Sequence, residues 1–257
     1  MREVRFSLGP DTNTEVTNSY AGWPSAAGIA PYLVLQGVIA GEPDPRTGYL
    51  ANITRIDRLF REHSIPLIRR MYEAGEGDAG RILIAVAEDL QPHAPERTAW
   101  VSLHLKVTPF LVFSFDWETP NMILLTQSFE FAAAHRLHCP DMTDEENRAY
   151  FGKCNNPNGH GHNYVLDVTI ARPLDEASAR PMPLPDFERI VRQRVVDRFD
   201  HKHLNLDCPE FRELNPSVEN IARVIWRLLD GHLGSAKLAR IRVWETSKTY
   251  AEYEERR

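Results

Sequence analysis

One thiol and two imidazoles lie within nine residues of this 257-residue chain, at Cys154, His160 and His162. The Gly, Asn and Pro residues between Cys154 and His160 are typical of a tight turn. Residues 163–170 are rich in β-branched and aromatic side chains, which favours a strand. Alternation along a strand places His160 and His162 on one face, about 6–7 Å apart, where they can share a metal ion.

A third metal ligand has to come from another part of the chain. The apolar run 129–138 is long enough to pair as the neighbouring strand, and it carries His135 and His138. Either histidine completes a three-histidine site with an open fourth position, the arrangement of catalytic zinc. A lone histidine in a strand is more often a hydrogen-bonded core or surface residue, but two histidine pairs beside a cysteine and a Gly/Asn turn favour the metal site.

Four motifs give the sequence a family resemblance. Cys-Asn-Asn-Pro-Asn-Gly-His-Gly-His at 154–162 is preceded by Ala-Ala-His-Arg-Leu-His at 133–138 and followed by Asp-His-Lys-His-Leu-Asn at 200–205 and Trp-Glu-Thr at 244–246. Over about residues 127–254 the chain resembles the 6-pyruvoyltetrahydropterin synthase family. The sister group, 6-carboxytetrahydropterin synthase of the queuosine pathway, usually has a shorter Cys-x-x-x-His-x-His spacing. The five residues between Cys154 and His160 favour the pyruvoyl branch.

The resemblance implies a lyase that eliminates triphosphate from 7,8-dihydroneopterin triphosphate and rearranges the side chain to give 6-pyruvoyltetrahydropterin. It implies zinc on His135, His160 and His162, with Mg²⁺ expected to accompany the triphosphate. It also matches Cys154 to the general base and Asp200–His201 to the relay that exchanges protons with it.

The same resemblance implies a set of substrate contacts. Glu245 matches the residue that grips the amino-pyrimidine edge of the pterin, although an exposed strand glutamate is the more common finding. The other expected contacts are Ser217, Glu219 and Thr246 for the pterin, and Arg136 and Lys153, with Lys202 beside them, for the triphosphate. The family commonly has Thr-Thr-Glu where this chain has Ser217-Val218-Glu219, so one expected hydroxyl is missing. Ser217 and Glu219 also fit a helix cap and a first-turn acid.

Two alternatives stay open at this point. One is a 6-carboxytetrahydropterin synthase acting on the same substrate. The other is a non-catalytic pterin- or metal-binding protein, against which the joint presence of Cys154, Asp200, His201 and Glu245 argues.

Composition limits the other function classes. A formal net charge of -6 provides no basic footprint for nucleic acid. Three cysteines without a secretory spacing predict a reducing compartment. No run of 18 apolar residues and no signal-like start are present, so we expect a soluble cytoplasmic protein that acts on a small molecule without a membrane.

The elements around the motifs form a pattern that occurs twice. The first half predicts a strand at 31–40, a helix from about Thr54 with a kink or early end at Pro66, a helix at 79–90, and a strand at 100–115 that breaks or bulges at Pro109. The second half predicts a strand from His162, helices at 185–199 and 217–229, and a strand at 238–246. Two units follow, 1–122 and 123–257.

The first unit lacks the chemistry of the second. With Tyr32 aligned on Tyr164, the positions of His160 and His162 fall on Gly28 and Ala30. The positions of Asp200–His201 fall on Arg69–Arg70, and that of Glu245 falls on Val107. We therefore expect a degenerate, metal-free first unit that serves as a scaffold, in preference to a second active site.

The predicted fold class is α+β. By the resemblance, each unit is a tunnelling fold, with an antiparallel four-stranded sheet and two helices on one face. In that family the sheets join into barrels and the sites lie at subunit boundaries, so the resemblance implies a homo-oligomer with active sites at unit interfaces.

Overall fold

The computed structural model describes residues 1–9, 29–173, 183–234 and 236–254. The chain divides into two compact units, the first built mainly on Met1–Thr126 and the second on Gln127–Arg172 and Glu176–Arg257. The division falls a few residues after the boundary at 122 that the sequence suggests. None of the described helices is long and apolar enough to cross a membrane.

The first unit is an antiparallel sheet with helices inserted between its second and third strands. Its strands are β1 (Arg2–Ser7), β2 (Tyr32–Gly41), β3 (Thr98–Thr108) and β4 (Leu111–Asp116), paired in that order. Its helices are α1 (Ile53–Leu59), a π-helical turn (Phe60–Ser64), α2 (Ile65–Glu73) and α3 (Ala79–Leu90). Buried side chains of the sheet, such as Leu35 and Leu103, and of the helices, such as Phe60 and Leu83, form one apolar core.

In the second unit, four main strands and two long helices between the second and third of them follow the order of the first unit, with further short elements added. Its sheet pairs β5 (Met122–His135), β6 (His160–Pro173), β8 (Lys237–Thr246) and β9 (Thr249–Tyr253) in that order, with the short β7 (Lys202–His203) parallel to β5. Between the strands lie α4 (Asp144–Phe151), α5 (Leu184–Val191), a π-helical turn (Arg192–Val196), α6 (Asp197–Phe199), α7 (Leu204–Asp207) and α8 (Val218–Leu229). The predicted α+β class and antiparallel sheets are confirmed, and the barrel stays a prediction.

Two local expectations about prolines have different outcomes. The helix does not end early at Pro66, because the preceding π-helical turn returns to α geometry at Ile65 and α2 continues to Glu73. Proline is tolerated there because it occupies the first turn of the new segment. The strand break at Pro109 is confirmed, since β3 ends at Thr108 and β4 starts at Leu111.

The strand registers of the two units correspond. β2 has an irregularity between Val38 and Ile39 where it pairs with β3, and β6 has one between Thr169 and Ile170 where it pairs with β8. A second irregularity follows Lys106 in the first unit and Trp244 in the second. When the strands are matched at this second irregularity, Val107 is the counterpart of Glu245, as the sequence alignment predicts.

Counting along β2 corrects one part of the alignment. Leu33, which is buried, is the counterpart of the buried Tyr164, so Tyr32 is not. The counterparts of His160 and His162 are therefore Ile29 and Pro31. The predicted pair, Gly28 and Ala30, is wrong by one residue because the sequence alignment pairs two tyrosines, Tyr32 and Tyr164, that lie on opposite faces of their strands. Gly28 itself lies outside the described residues.

The helices repeat as well. The first long helix of each unit contains a π-helical turn, at Phe60–Ser64 and at Arg192–Val196. The buried positions of these two helices also coincide: Ile56, Phe60 and Ile68 in the first unit correspond to Phe187, Val191 and Phe199 in the second. This spacing makes Arg69–Arg70 the counterparts of Asp200–His201, in agreement with the sequence alignment.

Candidate metal centre and active site

Three histidines converge at one end of the second sheet. His135 ends β5, and His160 and His162 begin β6. Each offers one ring nitrogen, and these three atoms all lie within 4.8 Å of one another. The strand alternation predicted from the sequence explains the pair on β6, because His160 and His162 share a face with the buried Tyr164.

The structure chooses between the two candidates for the third ligand. His135 is fully buried, and its Nδ1 donates a hydrogen bond of 2.7 Å to the carbonyl oxygen of Pro216. This bond fixes the tautomer and leaves the Nε2 lone pair facing the cluster. The Nδ1 of His138 accepts a hydrogen bond of 3.1 Å from the side-chain amide of Asn155, and His138 does not belong to the cluster.

Burial favours the neutral form of two of these imidazoles, His135 and His160. It lowers the pKa of His135 from 6.5 to about 4, and it also lowers the pKa of His160. Neutral imidazoles are the form that binds a metal. Three nitrogen donors in this arrangement fit a zinc ion, and the Nε2 of His162 is buried without a hydrogen-bond partner among the described residues.

Glu245 lies nearer to the histidines than its expected pterin role requires. β8 pairs with β6 so that Trp244 faces Val165, which brings the next residue, Glu245, beside the cluster. Its Oε1 is 3.3 Å from the Nε2 of His135 and 3.6 Å from the Nε2 of His162. The sequence alignment places this residue in the site but does not predict this contact.

Tyr164 forms the apolar floor of the cluster. Its ring is fully buried, stacks on Phe131 and meets the edges of His135 and His162. Burial, with smaller contributions from Glu245 and Cys154, raises the pKa of Tyr164 far above its ordinary value. Its hydroxyl therefore remains protonated beside the histidines.

Cys154 lies in a short 3₁₀ turn, Gly152–Asn155, between α4 and β6. Its carbonyl oxygen accepts a hydrogen bond of 2.8 Å from the backbone N–H of Leu137, which joins the turn to the segment after His135. Asn155, buried next to the thiol residue, donates to the carbonyl oxygen of Leu137. The cysteine is half-buried, so it remains within reach of a small molecule.

Gly159 brings the chain from this turn into β6. Its φ of +74° is in the left-handed region that favours glycine. A Cβ here would lie 2.5 Å from the Nε2 of His203 and 3.0 Å from the backbone oxygen of His135. Glycine is thus required both by conformation and by the close approach of two strands.

Asp200 and His201 are held at the end of α6. Asp200 Oδ1 accepts a hydrogen bond of 2.8 Å from the backbone N–H of Ala132, and Asp200 Oδ2 lies 2.7 Å from the Nδ1 of His201. The bond from Ala132 is the main cause that lowers the pKa of the Asp200 carboxyl. His201 has a φ of 55°, and its side chain is 83% exposed. The ring is oriented by the carboxylate and open to solvent.

A cavity of about 620 Å³ has both His162 of the cluster and His201 in its walls. Its walls include Ala132–Ala134, His162 and His201–His203. Among the described residues, no hydrogen bond or ion pair joins Cys154 to Asp200 or His201.

The other residues predicted to contact the substrate lie in different parts of the second unit. Arg136 donates to the backbone and side-chain oxygens of Asn155, so it braces the cysteine turn. Lys153 is exposed in that turn. Ser217 caps α8 by accepting a bond from the N–H of Asn220, Glu219 is exposed in the first turn of α8, and the hydroxyl of Thr246 accepts a bond from the N–H of Lys248 in the β8–β9 turn.

Sequence reasoning missed three residues that support the site. Pro216 orients His135, Asn155 holds His138 and the cysteine turn, and Asn205 bonds both the N–H and the carbonyl of Arg136. Asn205 is the last residue of the Asp-His-Lys-His-Leu-Asn motif, so a signal for it was present. The carbonyl of Pro216 left no sequence signal, since any residue has one.

Comparison with known proteins covers the second unit. The sequence profile of the family described as 6-pyruvoyl tetrahydropterin synthase matches residues 124–256. A human protein named 6-pyruvoyl tetrahydrobiopterin synthase is 38% identical over 129 residues, which are 50% of this chain and 89% of that protein. The Haemophilus influenzae 6-carboxy-5,6,7,8-tetrahydropterin synthase is 29% identical over 154 residues, covering 52% of this chain and 100% of that protein. The solved structure of Caenorhabditis elegans 6-pyruvoyl tetrahydropterin synthase aligns with a TM-score of 0.48 and 33% identity, over 52% of this chain and 96% of that one.

Proposed function

The chain belongs to the 6-pyruvoyl tetrahydropterin synthase family, and from that premise we propose that its second unit is a zinc-dependent lyase. The proposed reaction converts 7,8-dihydroneopterin triphosphate to 6-pyruvoyltetrahydropterin and releases triphosphate. The observation that carries the proposal is the cluster of His135, His160 and His162, which could hold a metal ion, with Glu245 beside it.

Glu245 is the proposed anchor of the pterin. A carboxylate can accept two parallel N–H bonds from an amino-pyrimidine edge, each contributing about 1.5–3 kcal/mol as a charge-assisted bond. Ser217, Glu219 and Thr246 are proposed as further contacts of the ring. Their hydroxyls and carboxylate lie at the start of α8 and the end of β8, the element that carries Glu245.

The proton transfers are assigned to Cys154 and to Asp200–His201. A zinc ion held by the three histidines would polarise the side-chain oxygens of the substrate and make the adjacent protons more acidic. Cys154, as a thiolate, takes the proton from the carbon that bears the hydroxyl. Asp200 holds the ring of His201 by its Nδ1, which leaves Nε2 free to exchange a proton with solvent or substrate.

The triphosphate requires cations near the same cavity. We assign this role to Lys153, which is exposed beside Cys154, and to Lys202, which is exposed beside His201. Arg136 is committed to Asn155, so we assign it a bracing role in addition to its positive charge. Mg²⁺ is proposed to bind with the triphosphate.

We further propose that the active form is a homo-oligomer with sites at unit boundaries. Support comes from the separation of the thiol from its expected relay, because Cys154 has no bond to Asp200 or His201 among the described residues of one chain. An adjoining copy could supply that pair. The first unit is proposed to be a metal-free scaffold, since Ile29, Pro31, Arg69, Arg70 and Val107 replace the chemical residues.

The 6-carboxytetrahydropterin synthase reaction is the second candidate. It is supported by the Haemophilus influenzae relative, which matches over its whole length. The higher identity to the human relative and the five-residue spacing between Cys154 and His160 favour the pyruvoyl product. A non-catalytic pterin-binding protein is the third.

Mass spectrometry of the product separates these candidates. Purified protein is loaded with zinc and incubated with Mg²⁺ and 7,8-dihydroneopterin triphosphate, and the Cys154→Ala variant is run beside it. We expect a 6-pyruvoyl product from the wild type and a rate lower by about 10²–10⁴-fold from the variant. A 6-carboxy product with acetaldehyde identifies the second candidate. No turnover by metal-loaded protein identifies the third, and full turnover by Cys154→Ala rejects this thiol as the base.

A further inference from the structure

Glu245 follows the last residue of β8 that is paired on both sides. The pairing of β6 with β8 runs as far as Val165 and Trp244, and the pairing of β8 with β9 passes from Trp244 directly to Thr246. Glu245 is therefore the extra residue of a strand irregularity, which the ladder does not hold in place. The direction of its side chain depends on how firmly Trp244, the residue before it, is fixed.

Trp244 is fixed by its side chain as well as by its backbone. Its indole Nε1–H donates a hydrogen bond of 3.0 Å to Asp167 Oδ2 on β6. The other carboxylate oxygen, Oδ1, accepts a hydrogen bond of 2.6 Å from the hydroxyl of Ser128 on β5. One carboxylate thus joins three neighbouring strands. Because side chains alternate along a strand, it holds the indole on the face opposite to the Glu245 carboxylate.

The ring of Trp244 is also packed from the side of β9. Its centroid is 4.4 Å from that of Tyr250. The guanidinium carbon of Arg242 lies 5.5 Å from the indole centroid and 4.9 Å from the Tyr250 centroid. Arg242 is in turn held by a hydrogen bond of 3.0 Å to Glu252. These contacts restrict rotation of the indole ring, so its bond to Asp167 constrains the position of β8.

The first unit lacks this constraint at the same positions. Counting along the strands makes Gln36 and Lys106 the counterparts of Asp167 and Trp244. Both bind Glu3 on β1: Gln36 donates a hydrogen bond to its Oε2, and the Nζ of Lys106 lies 3.9 Å from the same oxygen. Among the described residues of the first unit, no hydrogen bond joins Gln36 to Lys106. The bond between the second and third strands therefore accompanies the glutamate of the second unit.

We propose that Asp167 and Trp244 are positioning residues for the pterin anchor. The bond between them holds the irregularity of β8 in the form that directs the Glu245 carboxylate into the site. A carboxylate that is already oriented loses less freedom when it accepts two parallel N–H bonds from the amino-pyrimidine edge. This inference rests on the role of Glu245 in the proposed function. It extends ring recognition to the opposite face of the sheet, where two residues act through Glu245 without touching the ligand.

Binding of unsubstituted pterin tests the inference without turnover. Pterin has the amino-pyrimidine edge, and its fluorescence gives its dissociation constant with the zinc-loaded full chain. We expect Trp244→Phe, which keeps an aromatic ring but removes the N–H donor, to weaken pterin binding about 5- to 20-fold. Asp167→Val, which keeps a side chain suited to a strand but removes the acceptor, should weaken it to the same extent. Zinc affinity should be unchanged in both, since neither residue belongs to the histidine cluster.

A double-mutant cycle shows whether the pair acts through Glu245. Glu245→Gln alone should weaken pterin binding about 10- to 100-fold, because the charged acceptor is lost. Adding Trp244→Phe to Glu245→Gln should then change pterin binding by less than about twofold. A pair that merely stabilises the unit would weaken binding by the same factor in both backgrounds. That outcome, like unchanged pterin binding in Trp244→Phe alone, would overturn the inference.

Trp226→Phe is the matched control. Trp226 lies on α8 of the same unit, and its ring centroid is 5.4 Å from that of Tyr253, so the substitution loses packing and leaves Asp167 in place. Pterin binding should stay at the wild-type value. A loss as large as that of Trp244→Phe would trace the effect to general loosening of the unit and reject the positioning pair.

The same measurements separate this inference from the proposed function. Equal pterin binding by wild type and Glu245→Gln would remove the anchor and the positioning pair together. A loss in Glu245→Gln without a loss in Trp244→Phe contradicts the positioning pair alone. Because no arm measures turnover, a protein that behaves as expected in all of them but makes no product contradicts the proposed reaction alone.

Discussion

The two units share one framework and differ in structure where the first long helix ends. In the first unit α2 continues through Arg69 and Arg70 to Glu73. In the second, α6 stops at Phe199, Asp200 is extended, and His201 turns back in the left-handed region towards β7. The buried positions before this point correspond one to one. The core therefore specifies the fold in both units, and the proposed chemistry of the second depends on a few residues at the ends of elements.

In each unit a side chain near the end of the first long helix hydrogen-bonds to the first strand. This side chain is a donor in the first unit and an acceptor in the second. Arg69 donates hydrogen bonds of 2.9 and 3.3 Å to the carbonyl oxygens of Gly9 and Ser7, beside the end of β1. Asp200 accepts its bond from the N–H of Ala132 on β5. Each side chain ties its helix to the first strand of its own unit. Only the acceptor version leaves a carboxylate oxygen for an imidazole.

The largest expected effect concerns this pair of attachments. Asp200→Asn keeps an oxygen for the Ala132 N–H but loses the charge that orients His201, so we expect turnover to fall by about 10²–10⁴-fold with little change in stability. Arg69→Gln in the first unit should leave turnover unchanged. Steady-state rates and urea midpoints of both variants measure this. A similar loss of turnover in both would mean that the first unit takes part in the chemistry.

Metal binding is expected to distinguish the units next most strongly. His160→Ala removes a ligand, and we expect zinc affinity to fall by about 100-fold or more. His93→Ala, which removes a histidine of the first unit, is the control and should bind zinc as the wild type does. Competition with a chelator gives both values. Unchanged zinc affinity in His160→Ala would rule out the three-histidine site.

Gly48 and Gly159 have similar positive φ angles but different surroundings. Substituting each by alanine therefore distinguishes the cost of backbone strain from the cost of steric overlap. Gly48 in the first unit has a φ of +71° with nothing near its absent Cβ, so Gly48→Ala should lower the free energy of unfolding by about 1 kcal/mol. Gly159→Ala carries the same strain and the overlap with His203 and His135, which should add about 1–3 kcal/mol. Chemical denaturation measures the difference. Equal losses would show that the strands at Gly159 have room to separate.

The smallest expected effect is on the pH dependence of the metal-free protein. Because burial lowers the pKa of His135 from 6.5 to about 4, the unfolded chain takes up a proton before the folded one does. The free energy of unfolding therefore does not depend on this group above pH 6.5. It decreases as the pH falls from 6.5 towards 4, with a slope of at most about 1.4 kcal/mol per pH unit. Urea unfolding at several pH values should show a shallower slope for His135→Gln and the wild-type slope for His93→Gln. An identical slope in all three proteins would exclude His135 as its source.

Local patterns explain what the sequence predicted well. Alternation alone placed His160 and His162 on one face, and the apolar period located α3 and α8 to within a residue. The helix α4 was missed although its signal was visible, because Thr143 and Glu146 form a capping box in front of a polar helix. The sequence of α4 has no apolar period, because Asn147 is the one residue of this helix that is buried.

Contacts between distant residues explain what the sequence could not give. The choice of His135 over His138 depends on the carbonyl of Pro216, 81 positions away in the chain. The approach of Glu245 to the histidines depends on the pairing of β6 with β8 and on the irregularity after Trp244. The alignment slipped by one residue along β2 alone, because the strand irregularities that fix its register leave no mark in composition.

The π-helical turns determine the direction in which the site aspartate points. A π turn holds one residue more than an α turn, and each residue of a helix advances the side chain by about 100° around the axis. Removing a single residue from Arg192–Val196 would therefore rotate everything after it by about that angle and carry Asp200 away from Ala132. Since Phe60–Ser64 keeps the same extra residue in a unit without the three histidines, the rotation belongs to the geometry that both units share, and the proposed active site makes use of it.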